Sequence, residues 1–322
     1  MSRTSVLLFG MAVEYREEPC RTAINRVGGM PFKWSLNPYM GCAHRCTFCY
    51  VRAFERRADR PSDERYGRSI RVKANIVEVL RRELARKRWA HESVVVGAAT
   101  DPYQPAEGRF RLTRGCLQAM AEARNPFSII TRGPMIVRDL DVLVEASRRA
   151  AVHVTFSVPT LDDTIWRTTE PGTAHPRQRL RALRLLVDAG IDAGIGMAPI
   201  LPGLSDRPEL MRDVVKAARD AGATGIWTNV LFLRPGTREH FLENLARDWP
   251  DLLPRYERLY RGRAYLGKPD LEPVRREVAD LRHRFEIADR RKVRLLPSPP
   301  DAQLELPLLI GGEQRAPHAR TA

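Results

Sequence analysis

Residues 176–200, PRQRLRALRLLVDAGIDAGIGMAPI, hold one complete step of the fold. In the first half, apolar residues recur three or four apart (Leu180, Leu183, Leu186, Val187), the period of a helix with one buried face. The segment DAG at 188–190 puts a glycine where a helix C-cap is expected, and IDAGIGMAPI continues as an apolar run of strand length. A helix that feeds a strand in this way is half of a crossover unit.

The same alternation extends in both directions. Candidate strands are WSLNPY (34–39), VVVGAA (94–99), FSIIT (127–131), VHVTFSV (152–158), DAGIGMAPI (192–200) and TGIWTNV (224–230). Between them lie the helical patterns NIVEVLRRELARKRW, TRGCLQAMAEAR, VRDLDVLVEASRRA, PRQRLRALRLLVDAG and PELMRDVVKAARDAG. Strand-helix repetition forces a parallel sheet, and six units are too few for a closed eight-fold barrel. The expected fold is therefore α/β, a partial and open (β/α)6 barrel over 34–237, with its functional site in the loops at the strand C-terminal ends. Residues 1–33 read as a lead-in segment in which SVLLFGMAV (5–13) forms a first strand, or a spurious leader if Met11 is the start. Residues 238–295 read as a helical extension, from EHFLENLARDW, LLPRYERLYRG and LEPVRREVADLRHRFEIADRRK. Residues 296–322, rich in proline, glycine and polar residues, read as a disordered tail.

With 43% apolar and 29% charged residues over 322 positions, the composition is that of a soluble globular protein, and no apolar run reaches membrane-spanning length. The formal charge of +15 attracts polyanions and favours a nucleic-acid partner, although only six of the 54 basic residues are lysines, so an arginine preference accounts for part of the bias.

Three of the five cysteines fall in GCAHRCTFCY, residues 41–50, directly after the first barrel strand. Cys20 and Cys116 lie far away, which argues against a disulfide framework and for a metal site in a reducing, cytoplasmic compartment. Structural zinc takes four ligands, and His44 could serve as the fourth only from inside the tight loop. Three thiolates, Cys42, Cys46 and Cys49, suit an iron-sulfur cube with one iron left open. Cys116, on a helical pattern, reads as a core residue.

The C-x3-C-x2-C spacing with Phe48 before the last cysteine resembles the signature of radical S-adenosylmethionine enzymes. The resemblance covers roughly residues 20–290 and is nearest the branch that includes spore photoproduct lyase. It is carried by NPYMGCAHRCTFCY, ATDPYQPAEGRFRLTR, SIITRG, TFSVPT, EPGTAHPRQRLRAL, APILPGLSD and LRPGTREHF. It implies a [4Fe-4S] cluster on the three cysteines, S-adenosylmethionine chelated at the open iron, a reductant such as flavodoxin or ferredoxin, and hydrogen abstraction by a 5'-deoxyadenosyl radical. It further implies contacts to S-adenosylmethionine from Thr100 (amino acid moiety), Arg132 (carboxylate), Ser157 (ribose) and the backbone of Gly196, Met197 and Ala198 (adenine edge).

Asp101, Tyr103 and Gln104 either face substrate or organise their loop. Glu170 either binds a ribose or amine or caps the next helix, and Arg179 either points inward to a carboxylate or lies on a solvated face. One departure concerns the reaction: the lyase has a hydrogen-returning cysteine where this chain has Ala98 or Ala99, which argues against thymine-dimer reversal. In the tail, QLELPL resembles the peptide with which bacterial repair proteins bind the sliding clamp, through Gln303, Leu304, Leu306 and Leu308. With the charge, this favours DNA as substrate. The other classes open to the sequence are a clamp- and DNA-binding protein whose cluster is structural or redox-sensing, and radical modification of RNA or protein.

Overall fold

A computed structural model describes residues 3–8 and 11–289. The candidate clamp peptide and the expected disordered tail lie outside the described residues. The described residues form the strands β1 (Arg3–Leu8), β2 (Met11–Glu18), β3 (Ile24–Arg26), β4 (Trp34–Leu36), β5 (Tyr39–Met40), β6 (Ser69–Lys73), β7 (Val94–Val96), β8 (Phe127–Thr131), β9 (Val152–Ser157), β10 (Ala193–Ile200) and β11 (Ile226–Val230). The helices are α1 (Arg52–Arg57), α2 (Ile76–Leu84), α3 (Pro105–Phe110), α4 (Leu112–Glu122), α5 (Leu140–Arg149), α6 (Asp163–Thr169), α7 (Pro176–Asp188), α8 (Pro208–Asp220), α9 (Thr237–Asp248), α10 (Leu253–Leu259) and α11 (Lys268–Arg284).

The larger sheet runs β11-β10-β9-β8-β7-β4-β3. Its six strands β4 and β7–β11 pair in parallel, and β3 closes one edge antiparallel to β4. All six expected barrel strands are present, in chain order across the sheet. Every residue of β7 and β9 is buried, as required of central parallel strands covered on both faces. Gly190 and Gly222 follow α7 and α8 at φ +81 each, the left-handed conformation that ends a helix. Among the described residues no ladder joins β11 to β3, so the barrel stays open. The edge at β11 is covered by the chain after α11, where Ile226 N donates to Ala288 O at 3.0 Å and Ile226 bridges Asp289. No helix among the described residues is long and apolar enough to cross a membrane.

Two parts of the N-terminal third differ from expectation. WSLNPY is split between sheets: β4 ends at Leu36, Asn37 turns its Oδ1 to Ala99 N at 2.7 Å, and Pro38 brings no N–H to a ladder. Tyr39 and Met40 then join a four-stranded sheet of order β1-β2-β6-β5. SVLLFGMAV likewise divides into β1 and β2, and β2 runs on through the charged EYREE. Val13 and Tyr15 point into a small core with Tyr39, Ile70 and Val72, while Glu14 and Arg16 alternate with them.

Candidate radical-cofactor site

The cysteine loop leaves β5 at the C-terminal edge of the sheet and is tied down from several elements. Thr100 Oγ1 donates to Gly41 O at 2.6 Å, and Gln104 spans the loop, its Nε2 donating to Gly41 O (3.0 Å) and its Oε1 accepting from Ala43 N (3.0 Å). From the β9–α7 connection, Gly172 N donates to His44 O at 3.1 Å and Thr169 O accepts from Thr47 N at 2.9 Å. A Cβ at Gly172 would come within 2.5 Å of Ala43 O, so glycine is what permits this approach. Arg45, between two of the cysteines, is left-handed at φ +53. Arg52 is fully buried beneath the loop, donating to Cys46 O (3.4 Å), Ser62 O (2.8 Å) and Asp63 O (2.6 Å). Its guanidinium lies 4.6 Å from the centre of the Tyr66 ring, and the Tyr66 hydroxyl meets Cys49 Sγ at 3.7 Å.

Cys42 and Cys46 are buried and Cys49 partly so. Burial pushes the Cys42 thiol well up, reinforced by Asp101 and the neighbouring cysteines, and pushes Cys46 up to about 12 against the pull of Arg132. Without a cation the buried thiols hold their protons, and metal binding must release them. Among the described residues no three His, Cys, Asp or Glu side chains surround one point closely enough to share a single ion. The three thiols of the loop are soft donors of the kind that hold iron-sulfur clusters. His44, the conceivable fourth ligand, is buried with Nδ1 3.3 Å from Asp101 Oδ2. Cys116 is fully buried on α4, and Cys20 lies before β3; neither belongs to the loop.

Asp101, Tyr103 and Gln104 organise the rim. Asp101 accepts from Thr131 Oγ1 (2.6 Å), Arg132 N (2.7 Å) and Tyr103 N (2.9 Å). Burial opposes its carboxylate, yet His44, the Thr131 hydroxyl and the Arg132 N–H outweigh that and hold its pKa down to about 2. Tyr103 donates to Asp139 Oδ2 at 3.1 Å.

Next to the loop sits a buried triad that sequence patterning left undecided. Glu170 is 1% exposed and lies between Arg132, whose Nε donates to Oε1 at 2.5 Å, and Arg179, whose Nη2 is 3.0 Å from Oε2. Arg179 is wholly buried and also donates to Ser157 O (2.8 Å), Thr173 Oγ1 (2.7 Å) and Ala174 O (2.9 Å). Burial works against the Glu170 carboxylate, but the two guanidiniums keep its pKa below the ordinary value. The cap of α7 is His175, whose ring accepts from Arg177 N, so Glu170 is not the capping residue. Arg132 also donates to Ala198 O at 3.3 Å and faces the Phe48 ring at 5.6 Å. The structure therefore brings Arg132, Ser157 and Ala198 together through Arg179 and Glu170, beside Cys46.

Thr100, Gly196 and Met197 are differently occupied. The Thr100 hydroxyl spends its proton on Gly41 O and accepts from Gln104 Nε2 at 2.8 Å, which makes it a brace of the cysteine loop. At Gly196 the space of a Cβ is taken by the Trp227 indole, 2.8 Å away, and the Met197 side chain is fully buried. The β10–β11 ladder shifts register between Met197 and Ile200, freeing the backbone at Ala198. Gln104 braces the cysteine loop rather than only its own, and the bracing role of Arg52 had no sequence signal, because that arginine was in no motif read for its type.

Comparison with known proteins gives the family and the fold. The family described as the Radical SAM superfamily matches residues 36–214. The uncharacterized protein Rv2578c of Mycobacterium tuberculosis is 36% identical over 297 residues, covering 91% of this chain and 86% of that one. The uncharacterized protein MJ0683 of Methanocaldococcus jannaschii is 25% identical over 174 residues, covering 54% and 62%. Among solved structures, spore photoproduct lyase complexed with dinucleoside spore photoproduct aligns at TM-score 0.65 with 15% identity, over 84% of this chain and 79% of the lyase. A double mutant of the lyase with bound AdoMet and the same dinucleoside aligns at 0.64 with 15% identity and the same coverage. These likenesses to the lyase establish the shared fold.

Proposed function

Because the chain belongs to the radical S-adenosylmethionine superfamily, whose cofactors are a [4Fe-4S] cluster and S-adenosylmethionine, we propose that it cleaves S-adenosylmethionine reductively and takes a hydrogen atom from DNA in a repair or modification reaction. When bound, the cluster supplies the electron and S-adenosylmethionine the 5'-deoxyadenosyl radical. The observation that carries the reading is the braced loop itself: three thiols, two of them buried, lie at the C-terminal edge of an open parallel barrel beside the Arg132–Glu170–Arg179 triad. In this reading Cys42, Cys46 and Cys49 hold the cluster, and Arg132 and Ser157 receive the amino acid and ribose ends of S-adenosylmethionine. The backbone from Gly196 to Ala198 flanks the adenine, and Thr100 acts by fixing the loop. Arg132, held by Glu170 and only partly buried, is the guanidinium that would meet the carboxylate of S-adenosylmethionine.

Support for DNA comes from the dinucleoside bound by the structurally similar lyase and from the +15 charge. The partly buried turn after β7 has Ala98 and Ala99 and no thiol, so the reading is radical chemistry on DNA other than thymine-dimer reversal. A cytoplasmic location and a flavodoxin or ferredoxin reductant complete it. The test is isotopic: perdeuterated DNA should pass deuterium into 5'-deoxyadenosine, whereas label arriving only from RNA or peptide would eliminate DNA.

Recruitment by the sliding clamp is a separate part of the reading and rests on the sequence Gln303–Leu308 alone. Deleting residues 303–308 should weaken clamp binding in a pull-down and leave S-adenosylmethionine cleavage unchanged. Equal binding by the truncated protein would remove the clamp from the proposal.

A further inference from the structure

Four aromatic rings run in a row away from the cysteine loop. Tyr50, the residue after Cys49, meets Phe54 edge-on at 5.8 Å and Phe232 at 6.0 Å between ring centres. Phe232, just past the C-terminal end of β11, is stacked on Tyr265 at 5.1 Å and 17°. Tyr265 is 51% exposed, among the few large apolar residues open to solvent. It is nonetheless pinned: its hydroxyl accepts from Arg234 Nη2 at 2.7 Å, and its loop is tied to the barrel by Leu233 N donating to Ala264 O at 2.8 Å. One face of the ring is covered by Phe232, and half of its surface is left to solvent.

Guanidiniums stand at both ends of the row. Arg57 faces the Phe54 ring at 4.9 Å and Arg234 faces Tyr265 at 5.6 Å. Neither meets a carboxylate among the described residues, whereas neighbouring Arg56 is paired with Glu239 and Arg60 with Glu55. Rings offering a free π-face with unneutralised cations beside them match an unstacked base attached to phosphates; a folded core needs neither the exposure nor the unpaired charge.

We propose that Tyr265, backed by Phe232 and flanked by Arg234 and Arg57, is a stacking platform for an unpaired base of DNA at the mouth of the barrel. The inference rests on DNA being the substrate and adds how the strand is gripped. A base on the outer face of Tyr265 is separated by the rings of Tyr265 and Phe232 from Tyr50, the residue that follows the last cysteine. The platform requires single-stranded or extruded nucleotides, since paired bases expose no face.

The experiment is fluorescence anisotropy of a short labelled single-stranded oligodeoxynucleotide with cluster-loaded protein under anaerobic conditions, across a salt series. Tyr265→Ala should weaken binding about tenfold without changing the salt slope, and Tyr265→Phe should stay within about threefold of the parent. Arg234→Gln should lower the slope of log K against log salt by about 0.7, the loss of one phosphate contact to a single strand. Iron content and melting temperature of each variant check that it is folded. Parent-like affinity for Tyr265→Ala, or an unchanged slope for Arg234→Gln, would overturn the platform while leaving DNA as substrate. Absence of binding by the parent protein, or binding of an oligoribonucleotide alone, would overturn both.

Discussion

Anaerobically reconstituted Cys46→Ala should hold close to no cluster iron, against about four irons in the parent protein, and should form no 5'-deoxyadenosine with dithionite and S-adenosylmethionine. Cys46 is the middle donor of a loop whose backbone is fixed on both sides of it. Cys49 N and Arg52 Nε both donate to its carbonyl, and Thr47 N is tied to Thr169 O. Rigid anchoring means that no adjacent side chain can swing in to replace the missing sulfur, and His44 is already turned to Asp101. Removing one buried sulfur costs the fold only about 1 kcal/mol, so circular dichroism should match the parent. A folded variant that still assembles four irons and cleaves S-adenosylmethionine would take Cys46 out of the site.

The second large effect is on stability. Arg179→Met should destabilise the protein by about 3–5 kcal/mol, because it strips a buried carboxylate of one of its two guanidiniums and orphans the carbonyls of Ser157 and Ala174. For a chain of this size that is a fall of roughly 10 °C in melting temperature. The double variant Glu170→Gln, Arg179→Met should recover part of the loss, since the uncompensated charge is then gone. The consequence reaches the site because Glu170 also holds Arg132. A shift of less than about 2 °C for Arg179→Met would show that the triad contributes little to holding the fold.

Much of this architecture is legible in the order of residues, for reasons that differ along the chain. The six parallel strands are found because buried strands between amphipathic helices leave two unmistakable periods, and Gly190 and Gly222 mark helix ends by backbone geometry. The small sheet is not: SIRVK in β6 has two buried residues among polar ones, and β5 is two residues long, too little for any period to register. Pro38 and Asn37 signal a break that the apolar run around them conceals. At the site the cysteines stand out by spacing, which is a property of the chain. Arg179 and Glu170 do not, because pairing is a property of space: an arginine in PRQRLRAL reads as solvated until a carboxylate nine residues away is folded against it. Thr100, expected at a strand end, lies in the turn beyond Val96, where β7 stops, and its hydroxyl goes to Gly41.

Cys42, Cys46 and Cys49 are proposed to hold a cluster that would take S-adenosylmethionine as its remaining ligand. The most direct measurement is single-turnover assay of oxygen-free, iron- and sulfide-loaded protein with dithionite and S-adenosylmethionine, read as methionine and 5'-deoxyadenosine by mass spectrometry. Both products should appear in equal amounts from protein showing the absorbance of a cubane cluster. Fully loaded protein that returns its S-adenosylmethionine intact, or thiols that bind only a single zinc, would contradict the proposal.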